Sequence, residues 1–175
     1  ASSDESFRPV DIQTGPDGAI YISDWYNPVI THYQRSYRHP DRDAEHGRIW
    51  RVTAKGRPLL KKPTLTGLST PQLVKRLEST VRWERRMVRQ ILRDVDTDDL
   101  VASVHAWLQA DERIGDHEIF KALSVLESKE HVDEALLRRL LSVKDHRGRA
   151  YAARVVGRWS DRLEDPLALL QTCVQ

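Results

Sequence analysis

The side chains most capable of chemistry are concentrated in one segment, residues 23–51 (SDWYNPVITHYQRSYRHPDRDAEHGRIWR). Loops at strand ends often carry binding and catalytic groups, so the sequence predicts a polar pocket where the strand ends of this segment meet. The candidate lining residues are Asp24, Trp25, Asn27, His32, His46 and Arg48. Trp25 would form a wall of the pocket. The alternative is that the Asp and Asn side chains bond turn amides while the histidines and arginines are solvated. The pattern assigns no catalytic residue.

Two histidines of this segment raise the question of a metal site. His32 and His46 are fourteen residues apart, which matches no common local zinc pattern, and no thiolate accompanies them. The turn sequence GPDG lacks the alternating oxygen ligands and the closing glutamate of an EF-hand. Cys173 is the single cysteine, so the sequence holds neither a CxxC pair nor an internal disulfide. We therefore predict no metal site in this chain.

The charge balance excludes one class of protein. The 175 residues include 28 Lys+Arg and 26 Asp+Glu, a formal net charge of +2 at pH 7. A dedicated nucleic-acid binder needs a far more basic surface. No apolar run reaches the ~18 residues that cross a bilayer, and the N-terminus lacks the features of a signal peptide. We expect a soluble chain with no nucleic-acid partner and no direct membrane insertion.

The elements that position the polar segment are predicted to be strands. The runs RPVDIQ and AIYISD flank TGPDG, in which Pro16 fits the first central position of a type I turn and Gly18 the left-handed position that closes a hairpin. After the polar loop, HGRIWRVT alternates Ile49 and Arg51 against Trp50, as a half-buried strand does. Residues 1–55 are therefore predicted to form three short strands.

From Pro63 onward the apolar period changes from two to about 3.6, which indicates helices. The first helix, STPQLVKRLES, has Ser69 or Thr70 as N-cap, and the second is RWERRMVRQILRD. Further helices are predicted at 97–110, 116–128, 132–142, 146–159 and 165–173. Gly148 and Gly157 lie inside one of them, which close approach of neighbouring helices would explain. Short polar turns between the helices favour an array of antiparallel pairs.

An internal repeat supports this array. Six residues recur 63 positions later without a gap, Leu73, Arg76, Leu77, Ser79, Arg86 and Leu92 as Leu136, Arg139, Leu140, Ser142, Arg149 and Val155. The sequence predicts a mainly α fold: a HEAT-like αα solenoid at 69–175, a linker at 56–68 and a small antiparallel β segment at 1–55. The side chains predicted to be buried between its layers are Trp83, Leu92, Trp107, Leu108, Phe120, Leu140, Val155 and Trp159.

Arginines crowd the second predicted helix, at Arg82, Arg85, Arg86, Arg89 and Arg93. With nearby tryptophans they could contact phosphates and bases. However, Trp83 falls on the apolar stripe with Met87, whereas the arginines share the opposite face with acidic neighbours such as Glu84. This pattern is typical of a solvated helix surface.

The order of motifs resembles a family of large bacterial membrane-bound dehydrogenases. The resemblance rests on F.P.DI..GPDGAIYISDWYN..I.H, then R.PDRD.EHGRIWRV, then KGRPL, then helical repeats. Members of that family resemble glucose/sorbosone-dehydrogenase-type β-propellers followed by HEAT-like repeats and a cytochrome c segment with a CxxCH motif. The resemblance implies that residues 1–55 form part of the last propeller blade, so that the opening segment is one edge of a larger β structure.

The resemblance also implies an activity for a parent protein. Such a parent would be a quinoprotein-type dehydrogenase that oxidises a sugar or an alcohol with pyrroloquinoline quinone and calcium, and passes electrons to haem c in the periplasm or cell envelope. This chain contains no CxxCH, so we expect no cofactor in it and no turnover by it alone. Its partners would be the other propeller blades and the cytochrome segment. A different hypothesis is a HEAT-repeat protein–protein interaction module without an enzymatic role.

Overall fold

The computed structural model describes residues 2–30, 34–110 and 114–172. The chain divides into two units, Ala1–Thr64 and Leu65–Gln175. They are called the β unit and the helical unit below, and each is described by itself. His32 and Cys173 lie outside the described residues.

The β unit contains the three predicted strands, β1 (Pro9–Thr14), β2 (Ile20–Asp24) and β3 (Arg48–Val52). They form one antiparallel sheet in the order β1-β2-β3, with β2 in the centre. Ile22 of β2 lies opposite Ile12 on one side and Trp50 on the other. The prediction of a small antiparallel β segment is confirmed.

The turn between β1 and β2 has the predicted chemistry. Gly18 N–H donates to Gly15 O at 3.2 Å across Pro16, and Gly15 N–H donates to Ala19 O at 2.8 Å. Gly18 has φ +78°, a left-handed conformation in which a side chain would be strained. Leu60 is bonded to this turn, because its backbone N–H donates to Asp17 O at 2.9 Å. A residue from the predicted linker thus bonds the β hairpin.

The expectation that β3 is half-buried is wrong. Ile49 is 77% exposed, and Trp50 and Val52 are each exposed by more than two fifths. On β1, Val10 and Ile12 are exposed as well. Among the described residues of this unit, the buried apolar side chains are Ala19 and Val29. Alternation predicted the strand correctly but not its burial, because the described residues of the unit place no apolar layer over these side chains.

The helical unit contains seven α-helices within its described residues: α1 (Thr70–Lys75), α2 (Arg82–Asp94), α3 (Thr97–Gln109), α4 (Asp116–Glu127), α5 (Glu134–Leu141), α6 (His146–Arg158) and α7 (Pro166–Gln171). A 3₁₀ turn, Arg76–Glu78, extends α1. Ser69 and Gln72 form a capping box at α1. Aspartates cap four of the others, Asp96, Asp133, Asp145 and Asp165. Side-chain caps satisfy amides that the first turn leaves unpaired, so the start signals in the sequence placed the helices correctly.

The helices pack through contacts between neighbours in sequence and between alternate helices. Contacts between neighbours include α3–α4 and α5–α6, and those between alternate helices include α1–α3, α2–α4 and α4–α6. This mainly α arrangement is compatible with an α-solenoid. Its apolar core is continuous from Leu65 to Leu169. Within the part of the chain that the structure describes, no helix is long and apolar enough to cross a membrane.

The predicted core residues divide into two groups. Buried are Leu92, Trp107, Leu140, Val155 and Trp159. Partly buried against the same core are Trp83, Leu108 and Phe120. The second group corrects the prediction that all eight are buried between the layers, since these three side chains lie at the margin of the core.

The internal repeat is real but is not free of gaps. The buried leucines of α1 recur in α5 after 63 residues, because Leu73 and Leu77 correspond to Leu136 and Leu140. The second helices instead differ by 64 residues, since α2 runs from 82 to 94 and α6 from 146 to 158. Arg85 and Arg149 thus occupy matching positions, and each donates to the carbonyl oxygen six residues before it. The predicted match of Arg86 with Arg149 is therefore wrong by one residue.

The two glycines of α6 differ in their surroundings. A Cβ on Gly148 would lie 2.9 Å from Val143 Cγ2 and 3.4 Å from Leu140 Cδ1. A Cβ on Gly157 would meet no atom within 4 Å among those described. Close helix approach, as predicted, accounts for Gly148 and does not account for Gly157.

Candidate functional site

Asp24, the last residue of β2, is the centre of the polar segment. Its Oδ1 accepts from the backbone N–H groups of Arg8 at 2.7 Å and Tyr26 at 3.0 Å. Its Oδ2 accepts from Arg48 Nε and from Trp50 Nε1, both at 2.8 Å. We call Asp24 and these four donors the Asp24 network. The carboxylate is 3% exposed and both of its oxygens are occupied.

Arg48 extends this network. Its Nη1 donates to Asp4 Oδ2 at 2.7 Å, and its guanidinium carbon lies 4.1 Å from the centroid of the Tyr26 ring and 5.0 Å from that of Trp50. Stacking on aromatic faces and forked donation are the interactions for which arginine is suited. Arg48 therefore joins the N-terminal residues to the sheet.

The network fixes the protonation of Asp24. Burial alone would raise the pKa of this carboxyl. The hydrogen bonds from the Trp50 indole, the Arg8 and Tyr26 amides and the Arg48 guanidinium outweigh burial, so the pKa is held well below its ordinary value of 3.8. The carboxylate is ionised at neutral pH and has no free lone pair directed at a ligand. It is suited to positioning its neighbours and not to accepting a proton from a substrate.

Asn27 lies beside the network and is buried. Its Oδ1 accepts from Val29 N–H at 3.0 Å, its N–H donates to Ser6 O at 3.0 Å, and its Nδ2 donates to Asp43 O at 3.3 Å. Tyr26, just before it, has φ +54°, a left-handed conformation that is strained for a bulky residue. The Asp24–Asn27 turn is thus held by side-chain bonds to backbone amides, the geometry of the alternative that the sequence left open.

The remaining candidates are less closely connected. Trp25 is 43% exposed, and its backbone N–H donates to Arg8 O at 2.9 Å. The exposed His46 imidazole contacts the Asp43 carboxylate at 2.9 Å through Nδ1. The structure brings Asp24 and Arg48 into direct contact and links Asn27 to His46 through Asp43. Nothing can be said of His32, and the pocket that these residues were predicted to line stays a prediction.

The described residues contain no group of side chains arranged to hold a metal ion. Residues 2–30, 34–110 and 114–172 include no cluster of three or more His, Cys, Asp or Glu side chains in ligating arrangement. Asp24, the most buried carboxylate of the β unit, has its oxygens occupied by nitrogen donors. A cation would have to displace Arg48 and Trp50 to reach it.

The helical unit contains a second concentration of charge, which the sequence analysis treated as a solvated surface. A cavity of about 450 Å³ lies between α2, α4 and α6. Its lining includes Arg89, Arg93, Glu127, Tyr151 and Arg158. Glu127 is 7% exposed, accepts from the Tyr151 hydroxyl and accepts from Arg158 Nη1 at 3.2 Å. Burial and this carboxylate raise the pKa of Tyr151.

Two acidic neighbours of the α2 arginines, Glu84 and Glu78, are bound by other residues. Glu84 is buried and accepts from Arg76 at 3.0 Å and from the Ser79 hydroxyl at 2.6 Å. Glu78 accepts from Lys75 and from the Trp107 indole. The arginine spacing of three and four residues was the signal for this surface. What the sequence could not reveal is that the neighbouring carboxylates have other partners.

The part of the chain that is similar to a known family lies in the β unit. Residues 1–56 match the model of a family described as a domain of unknown function, DUF7133. No curated protein and no solved structure matches the chain. The matched region ends shortly after β3 and contains the whole Asp24 network.

Proposed function

We propose that this chain is a structural unit of a larger dehydrogenase-like protein, in which the three-stranded sheet belongs to a propeller blade and the helical unit is a HEAT-like scaffold. The observation that carries the proposal is the exposure of apolar side chains on one face of the antiparallel sheet. Ile12, Ile20, Trp50 and Val52 lie on that face and are 43–63% exposed. A sheet of three strands needs an apolar layer against one face for stability. The proposed occupant of that face is the adjacent blade of the same propeller.

The Asp24 network supports a structural role for the motif DWYN…HGRIWR of the resemblance. Asp24 ties the end of β2 to β3 through Arg48 and Trp50, and it ties both to the N-terminal segment through Arg8. A propeller blade needs its strand ends fixed so that neighbouring blades meet at a defined angle. These residues are therefore proposed to hold the blade in shape, and no chemical step is assigned to them.

The proposal includes an expectation for the larger protein. Following the resemblance, it would oxidise a sugar or alcohol with pyrroloquinoline quinone and calcium, transfer electrons to haem c, and reside in the periplasm or cell envelope. The motif order in residues 7–59 and the helical repeats support this expectation. The haem would be bound by a segment other than this chain, which has no CxxCH motif.

The activity of this chain can be tested directly. The chain is incubated with pyrroloquinoline quinone, calcium and a panel of sugars and alcohols, and reduction of a dye acceptor is followed. We expect no turnover above the cofactor-only blank, since a catalytic site must be positioned within a fraction of an ångström and a propeller shares its pocket among blades. Turnover that His32→Ala abolishes would contradict the scaffold proposal.

The origin of the sheet can be tested at the gene. Reading the open reading frame in both directions should reveal strand-rich blade sequences before the β unit and a CxxCH segment after the helical unit. A gene that encodes helical repeats alone around this segment would contradict the propeller proposal and favour the second candidate function, a HEAT-repeat interaction module.

A further inference from the structure

The arginine surface of α2 is continuous and long. It consists of Arg82, Arg85, Arg86, Arg89 and Arg93, which with Gln90 line a cavity of about 400 Å³. Residues three and four apart lie on the same face of a helix, and a rise of about 1.5 Å per residue gives the surface a length of about 16 Å. Arg82, Arg86, Arg89 and Arg93 are thus each about one helical turn apart along α2.

The surface continues into the cavity between α2, α4 and α6, because Arg89 and Arg93 line both. There it meets the side chains of Ser124, Ser128 and Arg158. An elongated ligand that follows α2 could therefore extend over α4 towards α6.

Three of these charges are not neutralised by the described residues of the helical unit. No carboxylate of the described residues forms an ion pair with Arg82, Arg89 or Arg93. Arg85 donates to the Ser79 carbonyl oxygen at 2.6 Å, a neutral acceptor. Burial and the charge of Arg85 lower the pKa of Arg89, which means that its charge is disfavoured where it lies. A bound anion would relieve this repulsion.

The acidic residues of the cavity do not compensate for it. Glu127 is held by Tyr151 and Arg158, and Glu130 is held by Arg158 at 2.7 Å and Arg162 at 3.0 Å. These contacts neutralise the α6 side of the cavity. They do not neutralise the α2 side, which is formed by Arg89 and Arg93.

We propose that the arginine surface binds a linear multivalent oxyanion, one that carries several phosphate or sulfate groups along its length. Guanidinium forks match the oxygens of such groups by paired hydrogen bonds, and several forks along one helix face favour a chain of charges over a single ion. Phosphate and sulfate chains share this chemistry and are separated by the test below.

A nucleic acid fits the surface less well. Binding of single strands relies on exposed aromatic rings on which bases stack. Trp83, the aromatic residue of α2, packs against the core. Phe120 and Tyr151 pack edge-to-face on each other with ring centroids 4.7 Å apart. The rings nearest to the arginines are therefore engaged, and the surface offers charge without a stacking platform.

Calorimetric titration of the whole chain tests the proposal, with inorganic tripolyphosphate and a sulfated tetrasaccharide as the two probes. The variant R82Q/R89Q/R93Q removes three charges from the arginine surface. The control R138Q/R139Q/R147Q removes three exposed charges from α5 and α6. We expect at least one probe to bind, with affinity lowered at least about tenfold in the first variant and less than about threefold in the control. The probe that binds identifies the phosphate or sulfate source.

Three results would overturn the proposal. One is the absence of binding by either probe to the unaltered chain at low salt. Another is an equal loss in both triple variants, which would indicate attraction to net charge only. The third is tighter binding of an oligothymidylate of equal charge, which would assign the surface to nucleic acid. Should the first variant fail to fold by circular dichroism, amide chemical-shift changes in the unaltered chain replace it, and changes outside α2, α4 and α6 count against the site.

Discussion

The two units of this chain are stabilised by different interactions. In the helical unit a continuous apolar core includes Trp107 and Trp159. In the β unit the most buried side chains are small or polar, with Asp24 at 3% and Asn27 at 2% exposure beside Ala19 at 2%. The first unit depends on apolar packing and the second on a buried carboxylate and its donors. A single polar substitution should therefore be able to disrupt the sheet, whereas the helices should respond to lost volume.

Asp24→Asn is expected to have the largest effect on the sheet. Each Asp24 oxygen accepts two N–H donors, so either orientation of an Asn amide would turn its NH₂ group towards two donors. Amide hydrogen exchange should show loss of protection in β2 and β3 while α3 to α6 stay protected. Asp11→Asn, at an exposed position of β1, is the matched control and should leave the sheet protected. Unchanged exchange in Asp24→Asn would mean that the network does not hold the sheet.

Leu140→Ala tests the opposite side of the comparison. Leu140 of α5 is fully buried. Large-to-small changes at such sites cost roughly 2–5 kcal/mol of unfolding free energy. Urea unfolding of the helical signal measures the loss. Leu167→Ala in α7, where the side chain is 71% exposed, should change it by less than about 0.5 kcal/mol. Similar values for the two variants would mean that the core assignment is wrong.

Acid should weaken the β unit through Asp24. Because the folded pKa of Asp24 lies below its ordinary value of 3.8, its contribution to stability is complete above that value and is lost as pH falls below it. Unfolding of the β unit in urea can be followed by the Trp50 indole N–H resonance. The midpoint urea concentration should be constant above about pH 5 and should fall below about pH 4. A midpoint that rises on acidification would contradict the assigned direction of the pKa shift.

The two glycines of α6 give the smallest and sharpest test of packing. Gly148→Ala places a methyl group 2.9 Å from Val143, and overpacking typically costs about 1–3 kcal/mol. Gly157→Ala meets no described atom and should stabilise the helix by about 0.5–1 kcal/mol. The two changes are identical in chemistry and lie in one helix, so their opposite signs in thermal unfolding isolate the helix contact. Equal signs would contradict it.

Local signals predicted most of the fold. Caps such as Asp96 and Asp145, the turn glycine Gly18 and the apolar periodicity act within a few residues, so they can be recognised in the sequence. The one-residue shift between α2 and α6 was missed because both registers place similar residue types in line. The exposure of Ile49 was missed because alternation indicates a strand without indicating what covers it.

The candidate site was predicted only as a list of residues. Asp24, Asn27 and Arg48 were selected by type and proximity, but the donors of Asp24 come from as far away as Trp50, and such partners are set by tertiary structure. The arginine surface was visible as spacing, and Arg82, Arg86, Arg89 and Arg93 are exposed, as predicted for a solvated helix surface. The pairing of Glu84 with Arg76 and Ser79 could not be predicted, since it depends on the turn between α1 and α2.

The Asp24 network also bears on the order in which the chain folds. Its contacts close loops of 16 residues from Arg8 and 24 from Arg48, and Arg48 then reaches Asp4 across 44. Helix pairs such as α5 and α6 are neighbours in sequence and need no such closure. Folding rates fall as contacting residues become more distant along the chain. The entropy cost of closing a loop arises before the hydrogen bonds that offset it can form. The helical repeats should accordingly fold first, and the sheet should form in a later, slower phase, although ribosomes synthesise it first.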